Sequence, residues 1–146
     1  MSHIRTELRN AVASTITGLD LTGSRVYKSR IYPIESNKLP CLAVYVQSET
    51  IEQATIGAQN KQRNIELIIE CAASATSNLD STLDDICDDV EIAMANNRNL
   101  NGLALEVLLE STQMDLNGDG EKPVGIAKMT YRVIAFQNLP NPAVVF

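Results

Sequence analysis

Side chains that commonly do chemistry are few in this chain of 146 residues, and their spacing forms no catalytic set. The only histidine is His3, close to the amino terminus, where chains are often poorly ordered. A Ser-His-Asp or Cys-His arrangement needs an imidazole that a third group holds in place, so this histidine is a poor candidate. The phosphate-binding patterns G-x-x-x-x-G-K-S/T and G-x-G-x-x-G do not occur. The sequence therefore predicts a protein that is not an enzyme and uses no cofactor.

Three cysteines, Cys41, Cys71 and Cys87, stand among apolar residues without C-x-x-C spacing. Their odd number and spacing argue against a disulfide framework and against a thiolate metal site. Because free cysteines are among the most buried residues in proteins, we expect three free thiols in the core.

Carboxylates cluster at helical spacing between residues 80 and 91. The i, i+4 pairs Asp84 with Asp88 and Asp85 with Asp89 repel by roughly 0.2 to 0.5 kcal/mol each, a cost that a solvated helix face tolerates. A hydrolytic pair of carboxylates would also need a cleft. We interpret this face as solvated or facing a partner, in preference to a metal site.

A second acidic segment, residues 115–120, matches the opening D-x-N-x-D-G of an EF-hand loop. The twelfth position of such a loop falls at Ile126, where a bidentate Glu is needed. The Asn-Gly and Asp-Gly pairs are equally typical of a hairpin turn, because these residues tolerate positive φ. A turn is favoured over an incidental cation site, and we predict that no metal is bound.

The net charge of −6 is distributed unevenly along the chain. Residues 1–63 hold eight Lys/Arg and five Asp/Glu, residues 64–121 hold one and thirteen, and residues 122–146 hold three and none. A general nucleic-acid-binding protein needs a dense Lys/Arg surface, which this chain lacks. Unlike charges on different surfaces favour head-to-tail contacts between copies, which close into rings when the rotation permits. Plain solubility is the alternative explanation.

The length is that of one domain, which buries roughly 70% of the surface of its unfolded chain. No apolar run approaches the ~20 residues that span a bilayer. The first ten residues lack the apolar region of a secretory signal. We therefore expect a protein located in a cytoplasm, at least while it folds, and without a membrane partner.

Two segments show helical spacing of apolar residues. In residues 2–17 the stripe ends before Gly18, a suitable helix terminator. In residues 79–96 a second stripe follows Ser77-x-x-Asp80, a pattern typical of a capping box. Its members are Leu79, Leu83, Ile86, Cys87, Val90, Ala93 and Met94.

Strands are predicted from alternation and from β-branched content. Residues 39–49 begin at Pro40, which is tolerated as the first residue of a strand, and are expected to form a central strand. Residues 25–32 predict a charged edge strand that carries Lys28 and Arg30. Three further segments alternate, and their expected core faces are Ile65, Leu67, Ile69 and Cys71; Leu103, Leu105, Val107 and Leu109; and Met129, Tyr131, Val133 and Ala135.

These elements predict an α+β fold with an antiparallel or mixed sheet of about four to five strands and two helices packed on one face. The other face is expected to be exposed or to meet a partner, since Ile68 and Leu108 lie there among charged residues. The subunit or partner interface predicted from this patterning consists of Lys28, Arg30, Glu66, Glu70, Asp84, Asp88, Glu106, Glu110, Lys128 and Arg132.

Two segments are not assigned to the core. Residues 50–62 are expected to form a long polar connection between strands, either functional or mobile. Residues 138–146 hold Pro140 and Pro142 before an apolar end, and this extended tail either adds to a neighbouring subunit, docks on its own domain or is disordered. The chain is thus divided into a domain of residues 1–137 and a tail of residues 138–146.

The order of these segments resembles the tail terminator family of long-tailed bacteriophages, the minor tail protein U type. The resemblance covers about residues 2–137 and consists of scaffold patterns without a single diagnostic motif. The proline-containing tail and the 117–120 loop do not match the family pattern. The matching segments are TELRNAVASTI, Tyr32-Pro33, LPCLAVYV, IELIIE, LDSTLDDICDDVE and AKMTYRVIAF.

This resemblance implies a small subunit that forms a ring, expected to be a hexamer, at the head-proximal end of the tail tube. Such a ring stops polymerisation of the tube protein and presents a surface to neck or head-completion proteins. The protein would then reside in the virion after assembly in the host cytoplasm. DNA would pass through the channel without specific binding, and an acidic wall would keep its phosphates from adhering.

Two alternatives stay open. Another virion connector, such as a neck or head-closure adaptor, also needs ring symmetry but does not cap the tube. A small cytoplasmic ligand-binding or enzymatic α+β domain is a different class, and a deep apolar pocket in a monomer would indicate it.

Overall fold

The fold was analysed in a computed structural model that describes residues 3–29, 39–53, 60–75, 77–117 and 123–138. It confirms the predicted α+β class, with two helices and a mixed sheet. In chain order the elements are α1 (Ile4–Thr15), β1 (Val26–Tyr27), β2 (Cys41–Gln53), β3 (Asn60–Ser74), α2 (Leu79–Ala95), β4 (Glu106–Asn117) and β5 (Val124–Asn138).

The strands form one sheet with the order β1-β2-β3-β5-β4. β1 pairs with β2 in parallel, and the other three pairings are antiparallel. β3 is the central strand, so β2, which the sequence predicts to be central, is second from the edge. β4 forms one edge, and the two-residue β1 forms the other.

Both helices pack on the same face of the sheet, as the alternation predicts. α1 lies against β2, whereas α2 lies mainly against β3 and β5. The predicted apolar stripes are buried, which places one hydrophobic core between the helices and the sheet. Its largest fully buried side chains include Ile4, Leu8, Ile16, Leu42, Ile65, Leu67, Ile69, Leu83, Ile86, Leu100 and Met129.

A glycine in β5 marks the closest approach of α2 to the sheet edge. A Cβ atom on Gly125 would lie 2.7 Å from Leu83 Cδ1 and 2.8 Å from Leu116 Cδ2. Both distances are shorter than van der Waals contact, so a larger residue would force these leucines to move.

The hairpins are longer than the sequence predicts. Strand pairing of β2 with β3 continues to Gln53 opposite Lys61, so the long connection predicted over residues 50–62 is wrong for both of its flanks. The polar composition of residues 50–62 indicated a loop, but polar residues occupy exposed strand ends as readily as loops. In the same way Asn117 pairs with Val124, so residues 115–117 of the predicted turn are strand. Residues 54–59 and 118–122 lie outside the described residues.

The predicted edge strand over residues 25–32 is shorter in the structure. Its described part contains only Val26 and Tyr27, and Lys28 follows the strand instead of lying on it. Arg30 and the tail residues 139–146 lie outside the described residues.

The core face predicted for residues 103–109 is wrong in part. The strand begins at Glu106, and Leu105 just before it is 58% exposed. A register shift between Leu109 and Ser111 interrupts the alternation. A strict two-residue alternation in the sequence does not reveal a bulge of this kind, which places one extra residue in the strand.

The start of α2 also differs from its prediction. The N-cap is Asn78 with a left-handed φ of 58°, and its side chain makes no capping hydrogen bond. The capping box from Ser77 to Asp80 is therefore wrong, because that motif needs an N-cap residue with extended backbone. Asp80 still lies in the first turn, where a carboxylate interacts favourably with the helix dipole.

Candidate assembly surfaces

The β4 edge exposes apolar residues. β5 is the only strand beside β4 within the described part of the chain. Long strand edges of this kind are templates for pairing with another chain, although the acidic residues and the bulge of β4 partly blunt this one. Among the described residues, five of the eight exposed large apolar side chains lie here: Leu105, Leu108, Leu109, Met114 and Leu116.

An open cleft runs between α2 and β4, because α2 covers β3 and β5 but leaves the inner face of β4 largely uncovered. The middle of the cleft has a volume of about 200 Å³, and Tyr131 lines it together with Met94, Val107 and Leu109. Burial raises the pKa of Tyr131, and the nearby negative charge of Glu91 acts in the same direction. A wider depression continues the cleft towards Leu105, and another depression lies beside Leu116 near the other end of β4.

The walls of this cleft are acidic. Glu91 lines the middle of the cleft and Glu106 lines the end near Leu105, while Arg98 is the one described basic residue at both places. Asp80 lines the depression beside Leu116. Asp84 lies between Asp80 and Glu91 on the same flank of α2, since it is four residues after Asp80. Residues 77–117 contain nine carboxylates and a single arginine, Arg98. We call α2 and β4 together the acidic edge.

The segment at the β1 end of the sheet has the other sign of charge. Residues 3–29, which form α1, β1 and their connection, contain four Lys/Arg and two Asp/Glu. Arg25 Nε donates to the Pro40 carbonyl at 2.7 Å, and one of its terminal nitrogens donates to the Leu21 carbonyl at 3.0 Å. Both acceptors are neutral, so these bonds hold the guanidinium beside β1 without cancelling its charge. Exposed Lys28 and Leu21 lie nearby in the chain, and we call residues 3–29 the basic edge.

The outer sheet face, which points away from the helices, pairs its own charges. Glu66 is opposite Arg132 and Glu70 is opposite Lys128 on the adjacent strand. Arg132 Nε also lies 4.0 Å from Glu110 Oε2. Five of the predicted interface residues are thus brought together on this face, with unlike charges on adjacent strands.

Part of this outer face is buried, contrary to the expectation that it is exposed. Ile68 is fully buried and Glu70 is 8% exposed. The Tyr45 hydroxyl donates to Glu70 Oε1 at 2.5 Å, a charge-assisted bond that stabilises the buried carboxylate. Alternation alone predicts which residues share a face, but not whether other parts of the chain cover it.

The other predicted interface residues lie apart from this group. Asp84 and Asp88 are exposed on α2, on the helix side of the sheet. Glu106 is exposed at the start of β4, opposite Ile134. Lys28 is on the basic edge, across the sheet from β4. Sequence patterning therefore mixed residues of three separate surfaces.

A buried ion network joins α1 to the sheet. Glu49 Oε1 accepts from Arg63 at 2.7 Å and from Arg5 at 2.9 Å. The Arg63 side chain is 6% exposed, so Glu49 supplies the compensation that this buried cation needs. No pattern in the sequence predicts this network, because its members come from three distant segments.

His3 has a structural role at the start of α1. Its Nδ1 accepts a hydrogen bond from the Arg5 backbone N–H at 3.1 Å and so caps the helix. Burial lowers the pKa of His3, and the positive charges of Arg5 and Arg63 lower it further. A neutral imidazole is required, because only the unprotonated Nδ1 can accept.

The cysteines are free and buried, as the sequence predicts. Hydrogen bonding with Cys87 and burial raise the pKa of the Cys71 thiol, which keeps it protonated and unreactive. Among the described residues no group of His, Cys, Asp or Glu is arranged to hold a metal ion. Within those same ranges, neither helix is long and apolar enough to cross a bilayer.

These features define a small α+β protein whose described surface offers contact faces: an acidic, apolar edge strand on one side and a basic edge on the other. The family model of phage minor tail protein U matches residues 3–134, and the chain belongs to this family. It is therefore a structural protein of a phage tail and a component of the virion.

Other comparisons add little to this assignment. No curated protein sequence matches the chain. Among solved structures, the chain is similar to one from the virion of a native gene transfer agent particle, with 13% identity and a TM-score of 0.44. That similarity covers 90% of this chain and 92% of the other.

Proposed function

We propose that copies of this protein form a closed ring, expected to be a hexamer, that caps the head-proximal end of the tail tube. The ring ends polymerisation of the tube protein through one face and offers the other face to a neck or head-completion protein. It has no catalytic role and no cofactor, and it assembles in the host cytoplasm.

The observation that supports this proposal most is the separation of charge across the sheet. β4 of the acidic edge and β1 of the basic edge lie at opposite ends of the strand order, so a copy presents unlike surfaces to its two neighbours. Unlike surfaces make heterologous contacts, which generate rings when the rotation closes. A ring whose two faces differ offers the next tube subunits no repeat of their own docking surface.

The same separation of charge bears on the wall of the channel through the proposed ring. If part of the acidic edge lines the ring, DNA passes without specific binding, because like charge repels its phosphates. A ring structure with a basic channel wall would contradict this part of the proposal.

Addition of the purified protein to growing tail tubes tests the proposal. A terminator arrests tube length and appears as a cap at one tube end in negative-stain images. A neck or head-closure adaptor leaves tube growth unchanged. A protein that stays monomeric at every concentration, even with tubes present, would favour the ligand-binding alternative.

A further inference from the structure

Exposed apolar residues are not spread evenly over the described surface. Five lie at or beside β4, and Leu21 lies on the basic edge. The β4 residues flank a cleft floored by Tyr131, into which a side chain from another molecule can fit. Apolar anchors that enter pockets of this kind contribute most of the free energy of protein association.

The charge around the cleft selects its occupant. Asp80, Asp84 and Glu91 on α2 and Glu106 on β4 outnumber Arg98, the one described basic residue that lines the cleft, so a basic surface with an apolar residue at its centre complements it. This chain carries such a surface on its basic edge, where Leu21 lies close in sequence to Arg25 and Lys28, with Asp20 as the one acidic residue among them.

We propose that the α2–β4 cleft of one copy receives the basic edge of the next copy, with Leu21 and Lys28 at the contact. The inference rests on the proposed ring and specifies which two surfaces build it. Every copy then uses its acidic edge towards one neighbour and its basic edge towards the other.

Two variants, each blocking one edge, test the contact. Leu105→Glu places a charge beside the cleft at a position that is 58% exposed, where folding tolerates the change. Leu21→Glu combined with Lys28→Glu reverses the basic edge and leaves the backbone bonds of Arg25 intact. Ile51→Glu is the matched control, because Ile51 is 44% exposed on β2 and belongs to neither edge. Asp84→Lys is a second acidic-edge variant, at an exposed helix position.

Sedimentation velocity measures the oligomeric state of each full-length variant, alone and in equimolar mixture. Tail tubes are added if the unmodified chain needs them in order to assemble. Each edge variant alone is expected to be folded and monomeric, and Ile51→Glu is expected to form rings. The mixture of the two edge variants is expected to stop at a one-to-one dimer, because only one intact contact exists between them.

Rings of either folded edge variant would overturn the inference, as would a mixture that stays monomeric. A defect of Leu105→Glu and Asp84→Lys with normal assembly of the basic-edge variant would also overturn it and would assign the cleft to a different partner. If the unmodified chain itself neither assembles nor arrests tubes, the proposed function fails instead. The two failures are therefore distinguishable.

Discussion

The central strand β3 and the edge strand β4 carry similar alternations of apolar residues and glutamates. In β3 the residues from Ile65 to Ala73 are buried or nearly so, including those on the outer face. In β4 every described residue except Val107 is exposed. β3 has strand neighbours on both sides and helices above it, whereas β4 has one strand neighbour and is largely beyond the reach of α2.

This difference separates two uses of the same pattern. The apolar residues of β3 hold the subunit together, and those of β4 remain available to another molecule. If this is correct, substitutions around β3 reduce the stability of the isolated subunit, while substitutions at β4 alter assembly and leave the subunit intact.

The largest effect is expected at the buried end of β3, where Arg63 depends on Glu49. Glu49→Ala leaves a buried cation without its partner and is expected to lower the free energy of unfolding by about 3 to 5 kcal/mol. Urea denaturation of the isolated protein measures this loss in the free energy of unfolding. Replacing both residues at once, by Glu49→Leu with Arg63→Met, is expected to cost clearly less, and an equal cost would argue against the buried-charge explanation.

A pair of leucines compares the two strands directly. Leu67→Ala in β3 is expected to cost about 2 to 5 kcal/mol through lost burial and a residual cavity. Leu105→Ala beside β4 is expected to change stability by no more than about 0.5 kcal/mol, because the side chain is already in water. Equal destabilisation of the two variants by urea would remove the distinction between core and edge.

The buried part of the outer face gives a smaller effect. Tyr45→Phe removes a donor to the buried Glu70 carboxylate and is expected to cost about 1.5 to 3 kcal/mol. The matched control is Ser48→Ala, since Ser48 Oγ donates to Glu66 at 2.7 Å at an exposed site. A loss of stability for Ser48→Ala as large as that for Tyr45→Phe would show that burial does not set the strength of these bonds.

The smallest expected effect is on the pH dependence of stability, through Tyr131 at the floor of the cleft. Burial raises the pKa of Tyr131 in the folded protein, so above the ordinary phenol value near 10 only the unfolded chain loses this proton. Unfolding is then favoured, and stability contributed by the neutral phenol is lost as the pH rises above about 10. Thermal unfolding between pH 8 and 11 should show a weaker alkaline decline for Tyr131→Phe than for the unmodified protein. Identical declines would contradict burial of this phenol.

Much of the fold was predictable because it follows from local periodicity. Both helices, the strands around Pro40, Ile65 and Met129, and the three buried thiols follow from apolar spacing. The exposure of Leu105 and the burial of Glu70 did not follow, because they depend on which strand lies at the sheet edge and on what covers each face. The Arg5–Glu49–Arg63 network joins residues far apart in sequence, and no local pattern marks it.

Of the candidate site, only the sign of its charge was predictable from the sequence. The acidic middle of the chain was visible from composition, whereas its confinement to α2 and β4 depends on strand order. Glu66, Glu70, Lys128 and Arg132 were expected at an interface from alternation, whereas their strand pairing, which places each glutamate opposite a cation, could not be read from the sequence. Leu105, Leu108 and Met114, which line or flank the exposed edge, carry no sequence signal that separates them from core leucines and methionines.

Amide hydrogen exchange in β4, compared between the isolated subunit and the protein assembled on tail tubes, measures whether this edge is covered. We expect the amides of residues 106–117 that point away from β5 to become strongly protected on assembly, while the amides of β3, which has strands on both sides, are protected in both states. Unchanged exchange across β4 in assembled, tube-capping protein would contradict the claim that this edge is where copies meet.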